Sequence, residues 1–150
     1  MPSPTARGAT ASFSPRAQGK ARALASARGV VLETETADLL TWDWPEAAFD
    51  VAAAIFFQFV GPKGRDHIFA GLRRALKPGG LLILEGYRPE QLAYRTGGPS
   101  AVENLYTRDI LATAFGDFHD LVITEHDTEV DEGHGHKGRS ALIDLSGHKP

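Results

Sequence analysis

The chain has 150 residues, 42% of them hydrophobic and 23% charged, with a formal net charge of −3. That is room for one domain around a single core, and the charge gives no support for nucleic-acid binding. No run approaches the roughly 18 apolar residues of a membrane span. The absence of cysteine excludes disulfides and thiol catalysis, leaves His and carboxylates as metal ligands, and is compatible with the cytoplasm.

Residues 1–11 are rich in Pro, Ser, Thr and Ala and are expected to be poorly defined, although 9–13 could form a short strand. No acid precedes Glu33, whereas Arg7, Arg16, Lys20, Arg22 and Arg28 are basic. This composition mimics an organellar transit peptide. The simpler reading is a basic surface helix over 15–28. Ser14 can cap it, Pro15 suits the first helical position, and Ala17, Ala21, Leu24 and Ala25 share a face. Gly29 stops the helix.

A strand over 30–36 follows and breaks at Ala37-Asp38-Leu39-Leu40. Trp42-Asp43-Trp44-Pro45 is a turn whose aromatics suit packing. The run 49–57, Phe-Asp-Val-Ala-Ala-Ala-Ile-Phe-Phe, is a second apolar run, a strand whose small residues would let helices approach the sheet closely. A helix over 63–76 then aligns Ile68, Leu72, Ala75 and Leu76. Gly61-Pro62-Lys63-Gly64 lacks the spacing and hydroxyl of a phosphate loop and is a helix start.

The most informative stretch is Arg73-Arg74-Ala75-Leu76-Lys77-Pro78-Gly79-Gly80, leading into a strand over 81–85. Lys77 suits the negative end of a helix, Pro78 cannot continue it, and a glycine can close it in the left-handed conformation. The apolar run that follows does not alternate, as expected for a strand covered on both faces. A loop over 88–100 comes next, then a short helix, Arg108–Phe115, capped by Thr107. Strands over 121–130 and 139–146 should form an antiparallel hairpin with a polar tip over 131–138. Helices alternating with strands argue for an open α/β sheet with right-handed crossovers.

Helix, Pro-Gly-Gly and an apolar strand ending in Glu85 resemble the junction before the fifth strand of class I S-adenosylmethionine-dependent methyltransferases. Ser14-Pro15, Phe49-Asp50-Val51, Glu85-Gly86-Tyr87, Thr96-Gly97-Gly98-Pro99, His136-Lys137-Gly138 and Leu142-Ile143-Asp144-Leu145 extend the resemblance over residues 12–149. They are similar to the small Rossmann-like branch near the tellurite-resistance and thiopurine groups. The resemblance implies a mostly parallel sheet of order 3-2-1-4-5-7-6 ending in an antiparallel hairpin, with S-adenosylmethionine as cofactor and a small-molecule methyl acceptor.

One part of the family pattern is absent. The family opens with a strand and a glycine-rich turn, approximately acid-x-Gly-x-Gly-x-Gly, whose amides approach the cofactor's methionine end. No such segment occurs here. The acid that grips the ribose diol is replaced, in this register, by Ser12, which cannot hold a diol in bidentate fashion. The missing strand is central, and each buried unpaired backbone group costs on the order of 1–3 kcal/mol. The gap must be repaired, filled by a partner or a second copy of the chain, or left because the chain is an incomplete piece. The last is the expectation.

The resemblance assigns Asp38 to the adenine amino group and the Leu39 amide to a ring nitrogen, although an aspartate here equally suits a turn. Ile55 and Phe56 would line the cofactor pocket. Gln58, Glu85, Tyr87 and Arg88 would face substrate, with Phe59 beside them and 94–99 as a lid. No metal site is assigned. His134 and His136, with His126 and Glu132 nearby, could hold an ion, but a polar hairpin tip is commoner.

Overall fold

A computed structural model describes residues 5–7, 15–131 and 137–150. The chain forms two compact units, Met1–Asp43 and Trp44–Pro150.

In the first unit, β1 (Thr5–Arg7), α1 (Pro15–Ala27) and β2 (Val31–Glu33) follow in order, and β1 pairs parallel with β2. β1 lies within the segment expected to be loose; the strand expected over 9–13, with Ser12 and Ser14, lies outside the described residues. Gly29 ends the helix with φ +65°, as expected. The face expected to turn inward is only partly covered, for Ala25 is buried but Leu24 is 59% exposed. β2 stops short of Thr36, and among the described residues it has three residues of β1 to pair with; α1 engages the hydroxyls that follow. Gln18 Nε2 donates to Thr36 Oγ1 at 2.6 Å and Arg22 Nε to Thr34 Oγ1 at 3.1 Å.

The second unit holds a four-stranded sheet of order β3-β4-β6-β5. Its strands are β3 (Phe49–Ile55), β4 (Leu76–Tyr87), β5 (His119–Asp131) and β6 (Lys137–His148). β3 and β4 are parallel, and β6 runs antiparallel to both β4 and β5. This is the 4-5-7-6 half of the expected order, and the hairpin is the expected ending.

α2 (Pro62–Ala75) starts at its proline. The Lys77–Gly80 segment, expected as a turn between helix and strand, is instead a bulge inside a longer β4. Register runs from Phe49↔Leu76 to Val51↔Leu81. The residue after β6 fastens this bulge: Gly79 N donates to Lys149 O at 2.9 Å, and Lys149 N to Gly80 O at 2.9 Å. Glycine is required there, since a Cβ on Gly80 would lie 2.9 Å from Lys77 O. The loop expected over 88–100 contains a short helix, α3 (Gln91–Tyr94), and a 3-10 turn follows at Val102–Asn104. α4 (Arg108–Phe115) has the expected cap, Thr107 Oγ1 accepting from Ile110 N at 3.3 Å.

α2 and α4 pack on the face of the sheet that presents Leu82, Leu84, Ile143 and Leu145, all buried. Aromatic side chains link these layers. Phe69 lies 5.6 Å from Tyr106 and 5.0 Å from Phe115, and Phe115 lies 5.4 Å from Phe118. Burial pushes the Tyr106 phenol well above its ordinary pKa. On the opposite face Val51, Ile55 and Ile83 are 40–53% exposed, and β3 is the edge strand.

Candidate cofactor and acceptor site

In an open α/β sheet, ligands bind beyond the carboxyl ends of the parallel strands. β3 ends at Ile55, and Phe56 breaks the strand with φ +51°, a left-handed conformation that is uncommon for a bulky residue. The turn lays the Phe56 ring on that of Tyr87, at the end of β4, with centroids 4.7 Å apart and planes 23° from parallel. Tyr87 is also covered from another side, since a Cβ on Gly98 (φ +84°) would lie 2.9 Å from its Cδ2. Only glycine allows the 95–101 loop to run this close to the ring.

Between these elements lies a cavity of about 400 Å³, lined by Phe56, Gln58, Phe59, Tyr87 and Asn104, and by residues 98–101. The Gln58 amide is already committed. Oε1 accepts from Tyr87 N at 2.6 Å, while Nε2 donates to Tyr87 O at 2.9 Å and to Asn104 O at 3.1 Å. Gln58 is therefore a buried bridge that fixes the cavity's shape.

Glu85 and Arg88 do not line the cavity. Glu85 is paired with Asp144 across the β4–β6 register. Arg88 turns to the hairpin, donating from Nε to Leu142 O at 2.9 Å and ion-pairing with Asp127 and Glu90. This clamp continues through α3. The Tyr94 hydroxyl donates to Asp127 Oδ2 at 2.6 Å, which with Arg139 and Arg88 holds that carboxyl below the usual range. Gln91, only 1% exposed, accepts from Ala141 N at 2.8 Å and donates to Thr96 Oγ1 and Gly97 O, both at 3.0 Å. The loop over the cavity is thus fastened to β6. Sequence reasoning found this loop through its glycines; Gln91 and Asn104 carried no pattern to single them out.

Asp38 and Leu39 lie in the first unit. Asp38 Oδ1 accepts from Leu40 N at 3.0 Å and Asp38 O from Trp42 N at 2.7 Å, so the aspartate closes a turn. His134, His136 and Glu132 lie outside the described residues; His126 Nε2 lies 2.7 Å from Asp144 Oδ2. Among the described residues no group of three or more His, Asp or Glu could hold a metal ion. No helix among them is long and apolar enough to cross a membrane.

The residues present suit one part of S-adenosylmethionine and not another. Phe56 lines the cavity as an uncharged apolar wall, whereas Ile55 does not line it and lies 49% exposed on the open face of the sheet. The ribose diol and the methionine end would need the carboxylate and glycine-rich turn that these 150 residues lack.

This sheet order, with a cavity at the strand ends, is that of a Rossmann-like α/β fold. The family model for the methyltransferase domain matches residues 5–80, and the chain belongs to that family, the class I S-adenosylmethionine-dependent methyltransferases. No curated protein matches the sequence. Among solved structures the fold is similar to TehB from Haemophilus influenzae, with a TM-score of 0.75 and 11% identity over 97% of this chain and 50% of that one. The PH0226 protein from Pyrococcus horikoshii gives a TM-score of 0.64 and 17% identity over 97% of this chain and 72% of that one. The N-methyltransferase NodS from Bradyrhizobium japonicum, in complex with S-adenosyl-L-homocysteine, gives 0.64 and 14% over 96% and 66%. The chain thus spans half the length of TehB and just under two thirds of that NodS chain.

Proposed function

We propose that this chain is a methyltransferase of the small-molecule type whose acceptor enters the cavity beside Phe56. The observation that carries this reading is the position of that cavity, at the carboxyl ends of the parallel strands β3 and β4. S-adenosylmethionine, when bound, supplies an electrophilic methyl group on a sulfonium. Phe56 walls the methyl side, with Ile55 beside it on the open face of β3. Tyr87 backs the Phe56 ring, and Gln58 holds the two strand ends at a fixed separation. Glu85 and Arg88, first assigned to substrate, act from behind the cavity wall. In the first unit, Asp38 and Leu39 keep the adenine role that the resemblance implies. Alignment rather than strong base catalysis would supply the rate, because an in-line methyl transfer gains mostly from proximity.

The same reading holds that these 150 residues bind the cofactor weakly. Loss of the glycine-turn and diol contacts removes about three or four hydrogen bonds, roughly 4–6 kcal/mol, which moves a micromolar site to millimolar or weaker. Calorimetric titration of the purified chain with S-adenosylmethionine tests this. Heat that fits a millimolar site agrees with the reading; a one-to-one micromolar site overturns the proposed impairment.

A second reading is favoured by the edge of the sheet. β3 offers an uncharged edge, Val51 to Ile55, next to the exposed side chains of Val51, Ile55 and Ile83. Such an edge is a template for an added strand. On this reading the chain is a non-catalytic binding subunit completed by a strand from a partner or a second copy. Sedimentation of the pure chain across a hundredfold concentration range separates the two: a constant monomer mass removes self-completion.

A further inference from the structure

Among the described residues no charged side chain lines the cavity beside Phe56, and this bears on what it can hold. Its aromatic wall is the outer face of Phe56, whose inner face is covered by Tyr87 at 4.7 Å. Pro99 adds a second apolar wall, and Phe59 is 44% exposed at the mouth. The polar interior is already satisfied, because every Gln58 contact given above goes to backbone. The nearest sequence cation, Arg88, is held by Asp127, Glu90 and Leu142 O and points away. What remains for a ligand is the Ser100 hydroxyl and the Asn104 amide, neutral groups at the rim with no side-chain partner among the described residues.

Resting on the acceptor-site reading above, we infer that the methyl acceptor is flat and carries no negative charge, stacking on Phe56 with its polar edge towards Ser100 and Asn104. An anion entering this cavity would surrender its hydration without finding a counter-charge, whereas a neutral ring loses little. A volume of about 400 Å³ admits a one- or two-ring molecule. The cavity therefore selects against oxyanions and carboxylates by charge, not by size.

The test is direct binding, without turnover. Quinoline, quinoline-6-carboxylate and N-methylquinolinium share one shape and differ in charge at pH 7. Each is titrated into the full chain and followed by calorimetry and by chemical shifts of Phe56 and Gly98. Quinoline and N-methylquinolinium should each bind at least tenfold more tightly than the carboxylate, and Phe56→Ala should weaken quinoline at least tenfold. Ser100→Asp, at an exposed loop position that leaves the core intact, should favour N-methylquinolinium over quinoline. Equal binding of quinoline and its carboxylate overturns the inference, as does quinoline binding that Phe56→Ala and Ser100→Asp leave unchanged. A parallel titration with S-adenosylmethionine keeps the two claims apart. Cofactor binding with no ring binding sinks this inference alone. Ring binding with no cofactor binding at any concentration sinks the methyltransferase reading and leaves the cavity's charge selection standing.

Discussion

Gln58 and Tyr87 form a reciprocal pair: the Gln58 amide receives the Tyr87 N–H at 2.6 Å and returns a hydrogen bond to the Tyr87 carbonyl at 2.9 Å. A side chain here continues the β ladder beyond the point where β3 leaves it. The pair explains how Phe56 can turn out of the strand while β4 runs on to Tyr87.

Replacing Gln58 by Leu should therefore destabilise the fold out of proportion to its size. The Tyr87 N–H and the Asn104 carbonyl would lose their partner in a buried place, at about 1–3 kcal/mol each. Chemical denaturation should show a loss of about 2–5 kcal/mol. A loss below about 0.5 kcal/mol would mean that water reaches these groups.

Gly71 should tolerate no side chain. Its missing Cβ would lie 2.3 Å from Trp44 Cδ2, against a ring that is itself buried. Gly71→Ala must displace the indole, and overpacking of this kind costs about 1–3 kcal/mol. Gly61→Ala is the control, because nothing lies within 4 Å of its Cβ position. Melting temperatures of the two variants should differ clearly.

Arg73 and Asp117 set an acid limit. The Arg73 guanidinium donates to both Asp117 oxygens at 2.7 Å and holds its carboxyl well below the usual range, at about 2. A depressed folded-state pKa contributes stability above the unfolded value of 3.8, and that stability is lost as pH falls towards about 2. Asp117→Asn should flatten the fall in melting temperature between those two pH values. The pair is exposed, so the effect should be small and reduced by salt.

Fastening of the lid should be separable from the cavity wall. Gln91→Leu leaves Ala141 N and Thr96 without their buried partner. Hydrogen exchange should then quicken in residues 95–101, while the Gln58–Tyr87 bonds stay protected. Uniform quickening across β4 and β6 would show that the lid and the sheet open as one.

Much of this fold was legible because periodicity and punctuation agree. Pro62 opens α2, Thr107 caps α4, and the apolar alternation of β5 and β6 sets the hairpin. Other features rest on contacts between residues far apart in sequence, which periodicity does not carry. Among the described residues β2 has three residues of β1, twenty-six positions earlier, to pair with. α3 is a single turn held by Gln91 reaching β6, fifty positions away. At the site, the aromatic residues after β3 stood out as a cluster, but their geometry follows from Phe56 adopting φ +51°, a conformation its residue type does not announce. Arg88 looked like a substrate ligand because a cation at a strand end is uncommitted in sequence; its acidic partner, Asp127, comes from a strand that begins thirty-one positions later.

The bulge in β4 has a consequence for alignment and for engineering. While β3 advances two residues, from Phe49 to Val51, β4 advances five, from Leu76 to Leu81. The surplus is odd, so it swaps inside for outside along the rest of the strand. If Leu76 kept its partner and one residue of Lys77–Gly80 were deleted, Ile83 and Glu85 would point at the helices, and Leu82 and Leu84 at the open side. The Pro-Gly-Gly signature thus acts as a parity switch whose length matters as much as its composition.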